Sequence, residues 1–246
     1  MPVSLAYRAY KTLWESLDWL YPPHCGGCSE LGSRWCADCV QHTRAIDPPI
    51  CPVCGIPNPT GSLCTRCEEN HPKYAALRSW AVFGGEIRNA IHRMKYRRDI
   101  GLGEALARPM INCLLKLNWT LDIITSVPLG LARFAERGYN QATLLARPIA
   151  LYMRIPFSPH VLARVRETRS QVGLSLPDRQ ENMMGAFQAN RKSFQGKSIL
   201  VVDDVATSGA TFDAVANALL DAGAACVYGF TLARAVYSAT GDTDIT

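Results

Sequence analysis

Residues 199–211 read Ile-Leu-Val-Val-Asp-Asp-Val-Ala-Thr-Ser-Gly-Ala-Thr. The unbroken aliphatic run Ile199 to Val202 suits a strand covered on both faces, as in the middle of a parallel sheet. Asp203 and Asp204 follow at once, and the pattern sets them beyond the strand's carboxyl end, where open α/β sheets seat their ligands. After Val205 and Ala206, the small polar turn Thr207-Ser208-Gly209-Ala210-Thr211 leads into a helical stretch, Phe212 to Leu220. Amides left unpaired at a helix start carry partial positive charge and receive anions. Gly209 permits close backbone approach, and the hydroxyls of Thr207, Ser208 and Thr211 add donors. The two acids can accept hydrogen bonds from vicinal sugar hydroxyls or hold Mg²⁺ through water. One site then takes a phosphate and a ribose together. A plain Asp-rich helix cap explains the acidic pair alone, but not the thirteen-residue pattern.

The totals set the frame around this stretch. The chain has 246 residues, room for one sizeable α/β domain and a small accessory unit. Hydrophobic residues make up 48% and charged residues 19%, which excludes a disordered chain. A net charge of +5 permits contact with phosphates or nucleic acid without requiring it. The N-terminal stretch carries Arg8, Lys11, Glu15 and Asp18, so it lacks the apolar core of an export signal. The longest apolar region, Ala214 to Ala233, is interrupted by Asp221 and by glycines and reads as helix, turn and strand. The expectation is a cytoplasmic protein with no membrane span and with thiols available for metal.

Eight of the ten cysteines form four Cys-x-x-Cys pairs: Cys25 and Cys28, Cys36 and Cys39, Cys51 and Cys54, Cys64 and Cys67. Each such turn aims two sulfurs at one point, and two turns complete a tetrahedron of thiolates around zinc. Four protein ligands leave no open position, so two structural zinc ions are expected. A segment this short cannot bury enough core to fold without them. Spacing leaves open whether the pairs combine sequentially, as tandem ribbons, or crossed. His24, His42 and His71 lie nearby as bystanders, and Cys113 and Cys226 read as core.

Elsewhere the chain alternates helix and strand. Leu5 to Leu20 predicts an amphipathic helix packed on its own domain, ended by Pro22-Pro23. Strands are expected over Leu77 to Phe83, Asp122 to Val127, Val161 to Val165 and Ala225 to Ala233, with Val161 to Val165 as a core strand. Helices are expected over Glu86 to Arg98 and Gly101 to Leu117. The first of these carries Arg88, Arg93, Lys95, Arg97 and Arg98, which could grip phosphates or present a solvated face. Trp35 and Tyr74 could stack on bases or pack in a core. The long polar stretch Glu167 to Asn182 is a candidate lid or disordered loop.

The 199–211 stretch closely resembles the 5-phosphoribosyl diphosphate (PRPP) signature of the type I phosphoribosyltransferases. The wider set consists of the cysteine knuckles after Tyr21-Pro22-Pro23, Met94-Lys95-Tyr96, Arg137-Gly138-Tyr139-Asn140-Gln141, Gln171, Arg179, Asn182 and Gly185-Ala186-Phe187. With that set the chain is similar, over nearly its whole length, to the ComF family, the competence protein F and GntX-like proteins. That resemblance implies an α/β, type I phosphoribosyltransferase fold, a mainly parallel sheet flanked by helices, with a small N-terminal zinc-ribbon module. The implied organisation is a helix over 1–24, a double zinc ribbon over 25–71, the transferase domain over 72–237 and a tail over 238–246.

By the resemblance, Asp203 and Asp204 are the catalytic acids and bind the ribose hydroxyls, and Ala206 to Thr211 take the 5-phosphate. Pro128, Leu129 and Arg137 stand where pyrophosphate binds, and Arg166, Arg169, Gln171 and Arg179 lie on a flexible loop over the diphosphate. Mg²⁺ would accompany PRPP. The purine transferases of hypoxanthine type carry an Asp where this chain has Thr207, which argues against simple purine salvage. The segment Leu77 to Gly85 would help frame an acceptor but names no base. The implied activity is pentosyl transfer linked to natural transformation or DNA utilisation. The alternatives are a non-catalytic, single-stranded-DNA-binding or sensing accessory, and a zinc unit that docks competence-machinery proteins.

Overall fold

The computed structural model describes residues 4–166, 178, 182–190 and 194–236. Among them four strands form one parallel sheet: β1 (Ala76–Val82), β2 (Ile123–Ser126), β5 (Ser198–Ala206) and β6 (Cys226–Arg234), in the order β1-β6-β5-β2. β5 is therefore central, as its aliphatic run requires, and Ile199, Leu200, Val201 and Val202 are fully buried. Residue Ile199 pairs with Ile123 on one side and Val227 on the other. Such a sheet must be covered on both faces, and each crossover supplies a helix that does so.

One face is closed by α1 (Leu5–Leu20), α4 (Gly85–Tyr96), α5 (Leu102–Leu115) and α7 (Gln141–Met153), whose apolar stripes meet Leu200, Val202, Phe230 and Leu232. The other is closed by α8 (Ala210–Asp221) together with the second cysteine knuckle pair. Gly229 keeps this second layer tight: a Cβ there would lie 2.6 Å from the Phe212 ring and 2.7 Å from Leu77. The short helices α2 (Ala37–His42) and α3 (Thr65–Glu69) begin within the second turn of each ribbon, with Cys36 and Cys64 as their N-caps, and α6 (Leu131–Arg137) follows β2.

Three expectations change, and one open alternative is decided. The last turn of β5 contains the acids, because Asp203 pairs with Thr231 and Val205 with Ala233, so the ladder continues past them. Val161 to Val165 is not a core strand. Its ordered part, β3 (Leu162–Arg164), pairs antiparallel with β4 (Phe187–Ala189) in a separate two-stranded sheet. Although α1 forms over the expected residues, it buries only Tyr7 fully. Leu13, Leu17 and Leu20 of its stripe stay exposed, since the domain surface meets only one edge of the helix. Tyr74 is 2% exposed and sits in the core, out of reach of a nucleobase. No helix among the described residues is long and apolar enough to cross a membrane.

Candidate functional site: an acid pair, a phosphate-sized loop and two thiolate centres

The eight cysteines fall into two sets, Cys25, Cys28, Cys36 and Cys39, and Cys51, Cys54, Cys64 and Cys67, with the sulfurs of each set within 4.8 Å of one another. The pairing is sequential, not crossed. Sulfur separations of 3.5 Å (Cys25–Cys39), 3.7 Å (Cys28–Cys36) and 3.6 Å (Cys54–Cys64) approach the edge of about 3.8 Å that a tetrahedron with ~2.3 Å zinc–sulfur bonds requires. Burial opposes ionisation of Cys25 and Cys51, but knuckle amides aimed at their sulfurs outweigh it and bring both thiols down to about 6. Burial and neighbouring sulfurs instead raise the thiols of Cys39 and Cys67, so it is the all-sulfur donor set and its geometry that fit zinc. His24, His42 and His71 belong to neither set.

Both ribbons are built into the domain. The first is held by α4, where Arg93 donates to the Cys25 carbonyl at 2.8 Å and Asn89 to that of Gly27 at 3.1 Å. Arg93 also pairs with Asp99 at 2.7 Å. The second lies along β1, where the Leu77 amide donates to the Val53 carbonyl at 2.8 Å and Arg78 to Pro52 at 2.8 Å. Its exit is pinned to α8 by the Lys73 amide, which donates to Asp213 at 2.6 Å.

At the carboxyl edge of the sheet the motifs meet. Lys95 reaches from the end of α4 to form an ion pair with Asp204. Gln141, first residue of α7, donates to the same carboxylate at 3.3 Å and accepts from Arg137 at 2.9 Å. Arg137 is buried, its guanidinium 5.1 Å from the Tyr96 ring centroid, and the Tyr139 hydroxyl donates to the Met94 carbonyl. The Met-Lys-Tyr and Arg-Gly-Tyr-Asn-Gln stretches thus form one network around the acid pair. Asn140 caps α7 and donates to the Val127 carbonyl at 2.8 Å, which fixes the Pro128-Leu129 turn beside β5.

The two acids occupy different environments. Asp204 is 4% exposed. Burial works against its ionisation, but Lys95, with hydrogen bonds from Lys95, Asp203 and Gln141, prevails and holds the carboxyl below its usual range. Asp203 is half-buried, and burial followed by the charge of Asp204 pushes it well above that range. Ionising Asp203 beside the charged Asp204 is thus opposed both by burial and by like charge. In the loop, Ser208, Gly209 and Ala210 are buried while Thr207 and Thr211 keep some exposure. Gly209 has φ +83° and lies under the second ribbon: a Cβ there would come 3.0 Å from the Tyr74 hydroxyl and 3.8 Å from Arg66.

Two of the cations that could have gripped phosphates or lined a solvated face are instead structural. Arg93 anchors a ribbon and Lys95 balances Asp204, while Arg88, Arg97 and Arg98 remain exposed. Arg166 donates to the carbonyls of Asn182 at 2.9 Å and Met184 at 2.6 Å, tying the base of its loop. Arg169, Gln171 and Arg179 lie outside the described residues, as does the tail. A cleft of about 330 Å³ at the end of β1 brings His42 and Arg44 to Phe83, Gly84 and Glu86, overlapping the segment expected to frame an acceptor. The signal for Lys95 lay in its place in the Met-Lys-Tyr stretch, and that for Gln141 at the first position of α7.

Lys95→Met leaves Asp204 without its counter-charge. Since Lys95 keeps some contact with water, the cost is set at about 2–3 kcal/mol, below the ~3–5 of a fully buried pair. Chemical denaturation should show a lower midpoint with an unchanged slope. An unchanged midpoint would mean that water already screens the pair.

Comparison with known proteins gives the following. The sequence profile of the double zinc ribbon domain matches residues 16–68, and that of the phosphoribosyl transferase domain matches residues 139–239. The DNA utilization protein YhgH of Escherichia coli (strain K12) is 33% identical over 205 residues, which cover 81% of this chain and 89% of that protein. Competence protein F of Haemophilus influenzae is 27% identical over 221 residues, covering 86% and 96%. Competence protein ComFC of Bacillus subtilis is 29% identical over 213 residues, covering 81% and 83%.

Proposed function

The chain belongs to the family of DNA utilization protein YhgH, competence protein F and ComFC, a zinc ribbon joined to a type I phosphoribosyltransferase fold, and on that premise we propose that it binds PRPP or a closely related ribose phosphate with Mg²⁺ in the service of DNA uptake or DNA utilisation. The observation that carries this reading is the meeting of the acid pair, the turn into α8 and the Arg137-to-Gln141 network at one edge of the sheet. The 5-phosphate takes the amides and hydroxyls of Ala206 to Thr211. Asp203, with surface still exposed, meets the ribose hydroxyls, and Asp204 joins it where Lys95 yields. Pro128, Leu129 and Arg137 flank the diphosphate. Arg166, with Arg169, Gln171 and Arg179, is assigned to the loop that closes over it.

If the protein turns over, it is a pentosyl transferase. The C1–oxygen bond to pyrophosphate breaks and a bond from C1 to a nucleophile forms. The chain's part is to stabilise developing charge with fixed groups. Mg²⁺, when bound with the diphosphate, supplies neutralisation of its oxygens. The site of action proposed is the cytoplasm.

The test is pyrophosphate release from PRPP across a panel of bases and amines. Release that Asp203→Ala with Asp204→Ala abolishes supports transfer. Tight PRPP binding with no release across the panel favours a sensor, and neither binding nor release removes the reading.

The names of the relatives, with exposed Arg88, Arg97 and Arg98 on and after α4, favour a second reading in which the same fold contacts single-stranded DNA or competence-machinery proteins. For DNA, affinity should fall steeply with salt and lose about one unit of slope per phosphate contact removed. A salt-independent signal, or an Arg88→Ala, Arg97→Ala, Arg98→Ala chain that binds like wild type, would remove α4 and the turn after it from the DNA reading.

A further inference from the structure

Arg234 ends β6 and is 0% exposed, and its three guanidinium nitrogens have no hydrogen-bond partner among the described residues. Its backbone is fixed. It pairs with Ala206 of β5 and Val82 of β1, and its carbonyl accepts from Phe83 at 2.7 Å. Its strand partner Ala206 packs in the buried cluster that holds Tyr74, Cys51, Cys54 and Cys67, and the guanidinium lies within electrostatic reach of Tyr74, Cys54, Arg66 and Cys67. A guanidinium stays charged, and a buried charge requires an opposite one or a full set of acceptors. The described surroundings offer a phenol, another arginine and sulfur. Four thiols carry no charge to offset it, whereas four thiolates around Zn²⁺ form a doubly negative centre.

We propose that Arg234 is the counter-charge of the second metal centre, so that the thiolates of Cys54 and Cys67, ionised by bound zinc, are the partner its buried guanidinium lacks among the protein's neutral groups. Arg66, on the knuckle helix α3, and Arg78, hydrogen-bonded along the same ribbon and within electrostatic reach of Cys51 and Cys54, add further positive charge to this region. The centre is thereby locked to the ligand edge of the sheet. Arg234 stands beside Ala206, the residue that opens the loop, and Arg66 and Tyr74 line that loop at Gly209. Metal in this ribbon and the shape of the loop wall become one electrostatic unit, while the first ribbon docks through Arg93 on α4 and serves as an internal control.

The experiment uses the full, zinc-loaded chain and follows release of its two zinc ions to a chromogenic chelator. Arg234→Met should release one ion at least tenfold faster and leave the other at its wild-type rate. Arg234→Lys, which keeps the charge, should stay within about threefold of wild type. Arg234→Met should also lower the thermal midpoint of the zinc-loaded protein, and Arg234→Lys should largely keep it.

Wild-type release from Arg234→Met overturns the proposal, as does equal acceleration by Arg234→Met and Arg234→Lys, which would mark a packing role. So does normal zinc release combined with weakened binding of inorganic phosphate, which would make a ligand phosphate the true partner. Should Arg234→Met fail to fold, Arg234→Lys decides alone: near wild-type release upholds the proposal and a tenfold loss overturns it.

Discussion

A chain carrying Cys51→Ser with Cys67→Ser is expected to bind one zinc ion in place of two and to lose cooperative folding at ambient temperature. The effect is large because this ribbon is not an appendage. Cys51, Val53, Cys54 and Cys67 belong to the same buried cluster as Tyr74, Leu77, Ala206, Ala210 and Phe212. Its loss uncovers the edge of β1 and one wall of the turn into α8. Structural zinc contributes ~10–16 kcal/mol of apparent binding energy, comparable with the ~5–15 kcal/mol that holds a whole domain folded. Zinc content by elemental analysis and a thermal melt read the outcome. A double variant that melts within a few degrees of wild type would show the ribbon to be an independent module.

Asp203→Asn is expected to weaken PRPP binding at least a hundredfold, about 2.7 kcal/mol, while leaving the fold intact or firmer at alkaline pH. Burial and the charge of Asp204 raise the Asp203 carboxyl well above its ordinary value. The folded chain therefore retains a proton there which the unfolded chain has released once the pH passes about 4. Stability owed to this group falls as pH rises from there through the raised value. An amide cannot ionise, so the variant should lack that decline while losing the charge that ligand and cation need. Denaturation midpoints at pH 5 and 8, set beside binding isotherms, separate the two effects. Equal binding by variant and wild type would move the ribose site elsewhere, and an equal pH decline would mean that another group causes it.

What could be read from the sequence follows from how local each feature is. An aliphatic run, an acidic pair and a glycine turn lie within thirteen consecutive residues, so the centre of the sheet and the turn into α8 were legible. The knuckles were legible because each is a local turn, yet combining them needed distances, and only the folded chain gives tandem sets. Val161 to Val165 has the composition of a core strand. It is excluded from the sheet because β4, a partner far along the chain, captures it.

Charges misled most. Arg93 and Lys95 look like their neighbours Arg88 and Arg97 on one basic helix, and what separates them is a carbonyl in the first ribbon and an aspartate in β5. Tyr74 and Arg234 lie outside any polar pattern; Tyr74 is buried in the cluster shared by ribbon and sheet, and Arg234 at the end of β6.

The central claim is that a ribose phosphate binds at the acid pair. The most direct measurement is a calorimetric titration of the zinc-loaded chain with PRPP and Mg²⁺, repeated in buffers of different ionisation enthalpy. The account predicts saturable one-to-one binding that requires Mg²⁺, releases protons below the raised range of Asp203 as that carboxyl ionises, and disappears in Asp203→Ala with Asp204→Ala. No heat from the wild-type chain, or the same isotherm from the double variant, would contradict it.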